Sequence, residues 1–446
     1  MHYSCSIHPT YPSQYLDYYE TRLETVLESV PAYRPWQVHD PGAGSPLPAR
    51  YAALPSLNKA YMVAQGCAGF LPPNKDLQQG LAQGEIEIVQ TSGSTGDRVS
   101  NIWYQPWWDA AEQASWKLNA HAARLQLGAH REAILTSPLC TGVVCEDGYL
   151  AMSQRTNGRF LYLNERSDPT TWTPEHMDRM IEEINRFSPR VIEANPSFLA
   201  CLSRYIVREK RMVRPPGLII FTYENPSGLH YGQVRAAFQC PIASSYGSTE
   251  AGYVFMECEA GRWHQNIDCC HVDFLPFKPE YGGPLIGLIL VTSFSNPWRA
   301  LLRFDIGDIV RISTAPCACG RSEGLILEAI EGRAVNLTQT PDGQPVTQAR
   351  VDRSMSQIEQ LEEYQLIQSG RSTYELRYVT AAPRPARVAE QALAALKTVY
   401  GPAAKIFAVQ VEAIRPDPPG KYRSTKALFD LDKDFFIDEQ YRPARA

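Results

Sequence analysis

Four hydroxyl side chains and two glycines stand together in Thr91-Ser92-Gly93-Ser94-Thr95-Gly96, with Gln90 before them and Asp97-Arg98 after. Glycines let a backbone come close to an anion, and Ser and Thr hydroxyls with exposed N–H groups supply donors, so this stretch can cradle phosphate. It is not a P-loop, which needs Gly-Lys-Ser/Thr opening a helix. Here Gly96 is followed by Asp97 and then by Val99-Ser100-Asn101-Ile102-Trp103-Tyr104, which reads as a strand. Glu85-Ile86-Glu87-Ile88-Val89 reads as a strand too, which makes the stretch a loop between strands. The same composition also suits a solvated turn, so its meaning depends on what else the chain carries.

Later segments supply that context. Ser245-Tyr246-Gly247-Ser248-Thr249-Glu250 follows the apolar Pro241-Ile242-Ala243; then come Leu302-Arg303-Phe304-Asp305-Ile306-Gly307-Asp308, Gly332-Arg333 and Gly420-Lys421. In this order, across nearly the whole chain, the segments resemble the motifs of acyl-adenylate-forming enzymes, and the set is similar to the phenylacetate–CoA ligase branch. The resemblance implies binding of ATP and Mg²⁺. Thr91, Ser92, Ser94 and Thr95, with Gly93 and Gly96, would hold the β- and γ-phosphates. Tyr246 would flank the adenine beside Gly247, Ser248 and Thr249, and Glu250 would offer Mg²⁺ a hard oxygen ligand. Asp308 would meet the ribose hydroxyls together with Arg333. Lys421 would be the catalytic lysine, with Lys426 as the neighbouring alternative, and Glu250 the second catalytic residue. Read without the resemblance, Asp308 and Arg333 suit a surface ion pair, Glu250 a helix start and Lys421 an exposed tail.

The acid would lie near Trp107, Phe198, Tyr223, Ser245 and Gly247, whose aromatic members favour an aromatic acid. Asn195-Pro196-Ser197-Phe198-Leu199 resembles the family's Pro-Ser-aromatic segment. Three places depart from the pattern. The usual Gly-Arg-x-Asp is here Gly332-Arg333-Ala334-Val335-Asn336, and the segment beyond it is Thr340-Pro341-Asp342-Gly343-Gln344-Pro345-Val346. These lie where relatives set up CoA transfer, so CoA is left open as a cofactor. The Glu-Pro pair expected after Phe221 is altered to Tyr223-Glu224-Asn225-Pro226.

A metal set is also present. Cys317-x-Cys319 sits in a proline-bounded loop, and Cys258 with His264 lies some fifty residues earlier. Three thiolates and one imidazole close a tetrahedron around Zn²⁺ with no open position, which is a structural site. Cys269, Cys270 and His271 are rival ligands, and ordinary buried residues are the plainer reading.

Composition bounds the rest. With 446 residues, two domains are expected. A net charge of −5 leaves no basic footprint for nucleic acid. The N-terminus reads as no signal peptide and no segment as a membrane helix, so the expected location is cytoplasmic. Eleven cysteines, an odd number, argue for free thiols rather than a disulfide framework.

These residues need elements to hold them. Tyr15 to Val30 has helical spacing, Pro106 to Leu127 reads as a helix, and Thr173-Pro174-Glu175 starts another. Glu132–Thr136, Arg190–Ala194 and Gly217–Phe221 read as buried strands between helices, which favours a mostly parallel α/β sheet. Pro138-Leu139-Cys140-Thr141-Gly142 reads as a loop at a strand's carboxyl end. Tyr374–Val379 and the alternating Phe407, Val409 and Val411 read as strands, with a helix over Ala386 to Val399. The expected fold is therefore α/β: a large N-terminal adenylate-forming domain over 1–334, with a zinc-binding insertion at about 255–321, and a small mobile α+β lid over 335–446.

The function expected is ATP-dependent activation of a small-molecule carboxylic acid, followed by transfer to CoA, a carrier thiol or an amine. An adenylyltransferase that places AMP on a hydroxyl and a degenerate scaffold protein are the alternatives. A homodimer is left open.

Overall fold

The computed structural model describes residues 9–90, 99–125, 127–417 and 421–443. The chain opens on α1 (Ser13–Ser29), whose buried Tyr15, Tyr19, Leu23, Val26 and Leu27 recur at three- and four-residue steps and share one face. Short helices α2 (Leu47–Ala53), α3 (Lys59–Gln65) and α4 (Leu77–Ala82) follow. The Asn58 and Asp76 side chains cap the last two by accepting from the Tyr61 and Gln79 amides. β1 (Glu87–Gln90) and β2 (Ser100–Trp103) pair antiparallel, as expected of the strands flanking the hydroxyl-rich loop. The loop itself, Thr91 to Gly96, lies outside the described residues. α5 (Gln105–Trp116) stops short of the expected Leu127. The Asn119 side-chain Oδ1 accepts from the amides of His121 and Ala122 and starts a separate turn there, which ends the helical run.

Strands and helices then alternate through β3 (Glu132–Leu135), α6 (Pro138–Thr141), β4 (Thr156–Asn157), β5 (Phe160–Tyr162), α7 (Pro174–Phe187), β6 (Val191–Ala194), α8 (Pro196–Arg208), β7 (Leu218–Phe221) and α9 (Gly228–Ala237). Both α7 and α8 place proline after a capping residue, Thr173 and Asn195, whose side chains accept from the His176 and Ser197 amides. A strand-rich stretch follows: β8 (Ile242–Ser248), β9 (Gly252–Glu257), β10 (Trp263–Gln265), β11 (His271–Pro276), β12 (Ile286–Ser293), β13 (Leu301–Ile312) and β14 (Ile326–Arg333). Beyond it lie β15 (Thr338–Gln339), β16 (Pro345–Val346), α10 (Gln348–Met355), β17 (Glu363–Gly370), β18 (Thr373–Val379), α11 (Pro385–Tyr400), β19 (Lys405–Gln410) and β20 (Thr425–Ala427).

The chain forms two compact units. One comprises Met1–Ala123, Ser245–Ile330 and Asp432–Ala446, the other Arg124–Ser244 and Glu331–Leu431. In the first, β8 pairs with β9, β9 with β10, β10 with β14, β11 with β12 and β12 with β13, all antiparallel. Tyr15, Tyr19, Tyr33 and Trp36 share one core with Val291, Leu302, Phe304 and Val310. The aromatic N-terminal stretch is thus packing material for this sheet. Tyr33 ties the two together, donating to the Ala300 carbonyl and accepting from the Leu302 amide.

The parallel sheet expected from the alternation lies in the second unit. Here β5, β3, β6, β7 and the first residues of β8 run parallel, with β4 antiparallel on the edge. All four β7 residues are buried, as in parallel strands covered on both faces. Met180 and Ile184 of α7 and Leu199, Leu202 and Ile206 of α8 pack with Leu135, Ile192 and Phe221. The carboxyl ends of β3, β6 and β7 lead into α6, α8 and Thr222-Tyr223-Glu224, the end of a parallel sheet where ligands collect.

The same unit contains a four-stranded sheet in the order β19–β18–β17–β20. Val351 and Met355 of α10 and Val388, Ala392 and Leu396 of α11 pack on Leu366 and Leu376, giving the expected α+β arrangement. One face is reversed from the sequence pattern. Phe407 and Val409 are 60% and 44% exposed, while Ile406 and Ala408 pack on the core. Register decides this: Ile406 and Ala408 stand beside Tyr374 and Leu376 of β18, which face the helices, and a strand cannot turn one residue over without turning all. No helix among the described residues is long and apolar enough to cross a membrane.

Candidate active site

In the first unit the candidate nucleotide residues gather at the β8–β9 hairpin. Ser248 stands opposite Gly252, and Ala251 donates to the Ser248 carbonyl and hydroxyl, so Thr249 and Glu250 occupy a tight turn rather than a helix start. The pairing register shifts between Tyr246 and Gly247, and a Cβ on Gly247 would lie 2.2 Å from the Gly252 carbonyl oxygen. Gly247 is therefore required by the hairpin itself. Gly252 has φ +74° and backs onto the Trp107 ring.

Tyr246 packs on Phe255 with ring centres 5.9 Å apart, and its hydroxyl donates to Asp308 Oδ2 at 2.7 Å. Two segments that are distant in sequence thereby meet. Glu250 is 5% exposed; its backbone carbonyl accepts from the Arg299 guanidinium, which also donates to Asn101 Oδ1. Burial pulls the Arg299 pKa down, and the Glu250 charge opposes it. Ser245 Oγ is buried and bonds to no described residue. Trp107 is buried, and its indole N–H donates to Ser295 Oγ at 2.9 Å.

Phe198, Tyr223, Arg333 and Lys421 belong to the second unit. Phe198 is fully buried on α8, edge-on to Trp172 and to Tyr422. Tyr223 has φ +72°, a strained setting for a bulky residue, and its hydroxyl donates to Glu193 Oε1 at 2.7 Å. Burial, then the Glu193 charge, holds the phenol well above its ordinary range. Glu224, next in the chain, accepts from the Ser197 amide at 3.0 Å, from the Ser197 hydroxyl, and from the Tyr422 amide at 3.2 Å. Burial pushes its carboxyl up to about 7, against those amides and the Lys421 charge. Lys421 and Asp417 exchange backbone hydrogen bonds of 2.9 and 3.0 Å. Arg333 ends β14 after Gly332, whose φ is +111° and whose added Cβ would meet the Gln348 Cβ at 2.8 Å. The departing Ala334-Val335-Asn336 forms a short 3₁₀ turn, with the Asn336 amide donating to Gln348 Oε1.

The metal candidates converge. Ligand atoms of Cys258, His264, Cys317 and Cys319 all lie within 4.8 Å of one another. Cys258 Sγ is 3.6 Å from Cys317 Sγ, and Cys319 Sγ is 3.3 Å from His264 Nε2. Edges of a tetrahedron around zinc are about 3.8 Å between thiolates and about 3.5 Å between thiolate and imidazole. The donor set fits Zn²⁺. Burial and Arg321 bring the His264 pKa down to about 4, which keeps its ring neutral and able to ligate. The rivals are engaged elsewhere: Cys269 with Ser295 and the Ala251 carbonyl, Cys270 with the Asn266 carbonyl, and His271 with the Tyr15 hydroxyl.

No protein-family model matches the chain. Its sequence is 23% identical to protein CapK of Staphylococcus aureus over 186 residues, which is 42% of this chain and 40% of that protein's length. The chain superposes on a 2-hydroxyisobutyryl-CoA ligase in complex with R3-HIB-AMP with a TM-score of 0.68, covering 96% of this chain and 92% of that one at 15% identity. An anthranilate CoA ligase, AuaEII, in complex with anthranoyl-AMP gives 0.51 at 14% identity over 76% of this chain and 65% of that one. The fold is that of the acyl-adenylate-forming ligases.

Within the adenylate-forming fold, Tyr246, Gly247, Ser248, Thr249, Glu250, Asp308 and Trp107 stand in one unit, and Arg333, Lys421, Phe198 and Tyr223 in the other. Arg299 is an addition that sequence reasoning passed over, whereas Ser197 and Glu224 stood in motif segments and only their contact is new. A charged residue inside the apolar Trp298-Arg299-Ala300-Leu301, and a carboxylate directly after a buried strand, were the available signals.

Proposed function

We propose that this protein activates a carboxylic acid with MgATP, as an adenylate-forming ligase of the phenylacetate–CoA ligase-like kind. A carboxylate oxygen attacks the α-phosphorus, the bond to the bridging oxygen of the β-phosphate breaks, and acyl-AMP and pyrophosphate result. One observation carries the reading: Tyr246 and Asp308, 62 residues apart, meet at 2.7 Å. Asp308 of β13 is thus tied to the β8–β9 hairpin that holds Tyr246 and Glu250, an arrangement that suits an aromatic face for adenine and a carboxylate for the ribose diol.

On this reading Thr91, Ser92, Gly93, Ser94, Thr95 and Gly96 cradle the β- and γ-phosphates, and Glu250 holds Mg²⁺. Arg333 joins Asp308 at the ribose. Lys421 brings a flexible point charge to the α-phosphate, where the chemistry is mostly positioning and neutralisation of the equatorial oxygens. Residues 335–446 act as the lid that carries it. We take the acid to be aromatic, with Trp107, Phe198, Tyr223, Ser245 and Gly247 as the residues to vary. Cys258, His264, Cys317 and Cys319 hold a structural Zn²⁺ that takes no part in the reaction. CoA, a carrier thiol and an amine are the acceptors to compare.

The test is pyrophosphate release from MgATP across a panel of aryl and alkyl acids, without CoA and with hydroxylamine as trap. Release should depend on one class of acid and fall about 10²-fold in Lys421→Ala. Binding of ATP without release from any acid would remove the ligase reading and leave the adenylyltransferase or scaffold.

A further inference from the structure

Ser197 and Glu224 have no part in that reaction, yet they stand beside its lysine. Glu224 grips two elements at once. Its Oε1 takes the Ser197 amide and hydroxyl in the first turn of α8, where amides lack partners within the helix. Its Oε2 takes the Tyr422 amide at 3.2 Å. The Tyr422 ring lies edge-on to Phe198 in the same turn of α8, with centres 6.4 Å apart. The segment is thus held at two points, one polar and one apolar. Asp417 holds the Lys421 backbone from the other side. The Lys421 charge lowers the carboxyl of Glu224 and the thiol of Cys140, residues that follow β7 and β3.

We propose that Glu224 is the positioning residue for Lys421: its carboxylate clasps the Lys421–Tyr422 segment onto the first turn of α8 and so fixes where the ammonium stands. The proposal rests on the function above, because only a developing phosphoryl charge gives Lys421 something to meet. Glu224 takes no proton and forms no bond in the reaction. Its contacts to the segment run through backbone amide hydrogen, so they set the path of the chain whichever way the Lys421 side chain rotates. Releasing the clasp should leave ATP and acid binding intact and shorten the time the ammonium spends in place.

Two readouts test this together, steady-state pyrophosphate release and hydrogen exchange at the Tyr422 amide. Glu224→Ala should lower kcat about tenfold or more. KM for ATP and acid should move by less than about twofold, the mark of an interaction made after binding. Exchange at Tyr422 should rise about tenfold. Glu224→Gln, with one acceptor oxygen in place of two, should fall between, and Lys421→Ala should lose rate with Tyr422 exchange unchanged. Wild-type kcat and exchange in Glu224→Gln and Glu224→Ala would overturn the proposal, as would a rise in KM at constant kcat. Should Glu224→Ala not fold, the near-isosteric Gln variant carries the test. If no acid supports release in the wild type, the proposed function fails, while Tyr422 exchange in Glu224→Gln still decides whether the clasp exists.

Discussion

A methyl group at position 247 has nowhere to go. It would stand 2.2 Å from the Gly252 carbonyl oxygen, and neither partner is a side chain that can swing aside. Gly247→Ala is therefore expected to destabilise the protein by about 3 kcal/mol through forced separation of the strands, read as a lower urea midpoint. The Tyr246 hydroxyl would be drawn away from Asp308 in the same movement, so ATP binding should weaken as well. An unchanged midpoint would mean that the hairpin opens freely and that Gly247 matters only for the ligand. Tyr246 and Asp308 were legible in the sequence because they stand in ordered motifs. Arg299 was less so: its place inside an apolar run signals burial, but not that the guanidinium meets Asn101 and the Glu250 carbonyl. Glu224 was noticed as an altered motif position, but its partners lie 27 and 198 residues away, beyond the reach of local pattern.

The metal cluster belongs to the scale of elements. Cys258 follows β9, His264 sits in β10, and Cys317 and Cys319 come from the connection between β13 and β14. A metal there joins a hairpin to a long connection that has little core of its own. Elemental analysis should find about one zinc per chain. Cys319→Ser, or a strong chelator, should remove it and lower the thermal midpoint, with far-ultraviolet circular dichroism nearly unchanged. A zinc-free protein of full stability would return the four residues to ordinary packing. Elements themselves were legible where periodicity was clear, as for α1, α11, β6 and β7, and where a cap joined it, as for α7. They were misjudged where tertiary contacts decide. α5 ends early because an asparagine side chain competes for backbone amides, and β19 shows its other face because β18 sets its register. The parallel sheet followed from alternation, whereas the antiparallel pairing of β8 to β13 depends on register that composition does not carry.

For the whole molecule, pH tells most about what burial costs. Burial raises Asp352 to about 6 and Glu224 to about 7, both from ordinary carboxylate values. Between the unfolded and folded values the folded chain binds more protons, so its stability declines as pH rises. The contribution of these two groups is fully present below about pH 4 and is lost as pH climbs through 6 and 7. Urea midpoints measured at pH 5 and pH 8 should differ less in Asp352→Asn than in wild type. An equal difference would show that Asp352 titrates normally. The sulfur spacing in the metal cluster has a separate effect on how the protein keeps in storage. Cys258 and Cys317 are 3.6 Å apart at sulfur, and a disulfide needs about 2 Å. An oxidant that takes two electrons from this pair of thiolates would join them with little movement, strip the cluster of two of its four donors and expel the ion. Air would then age a preparation from its scaffold inward, while the residues proposed to touch ATP stayed chemically intact.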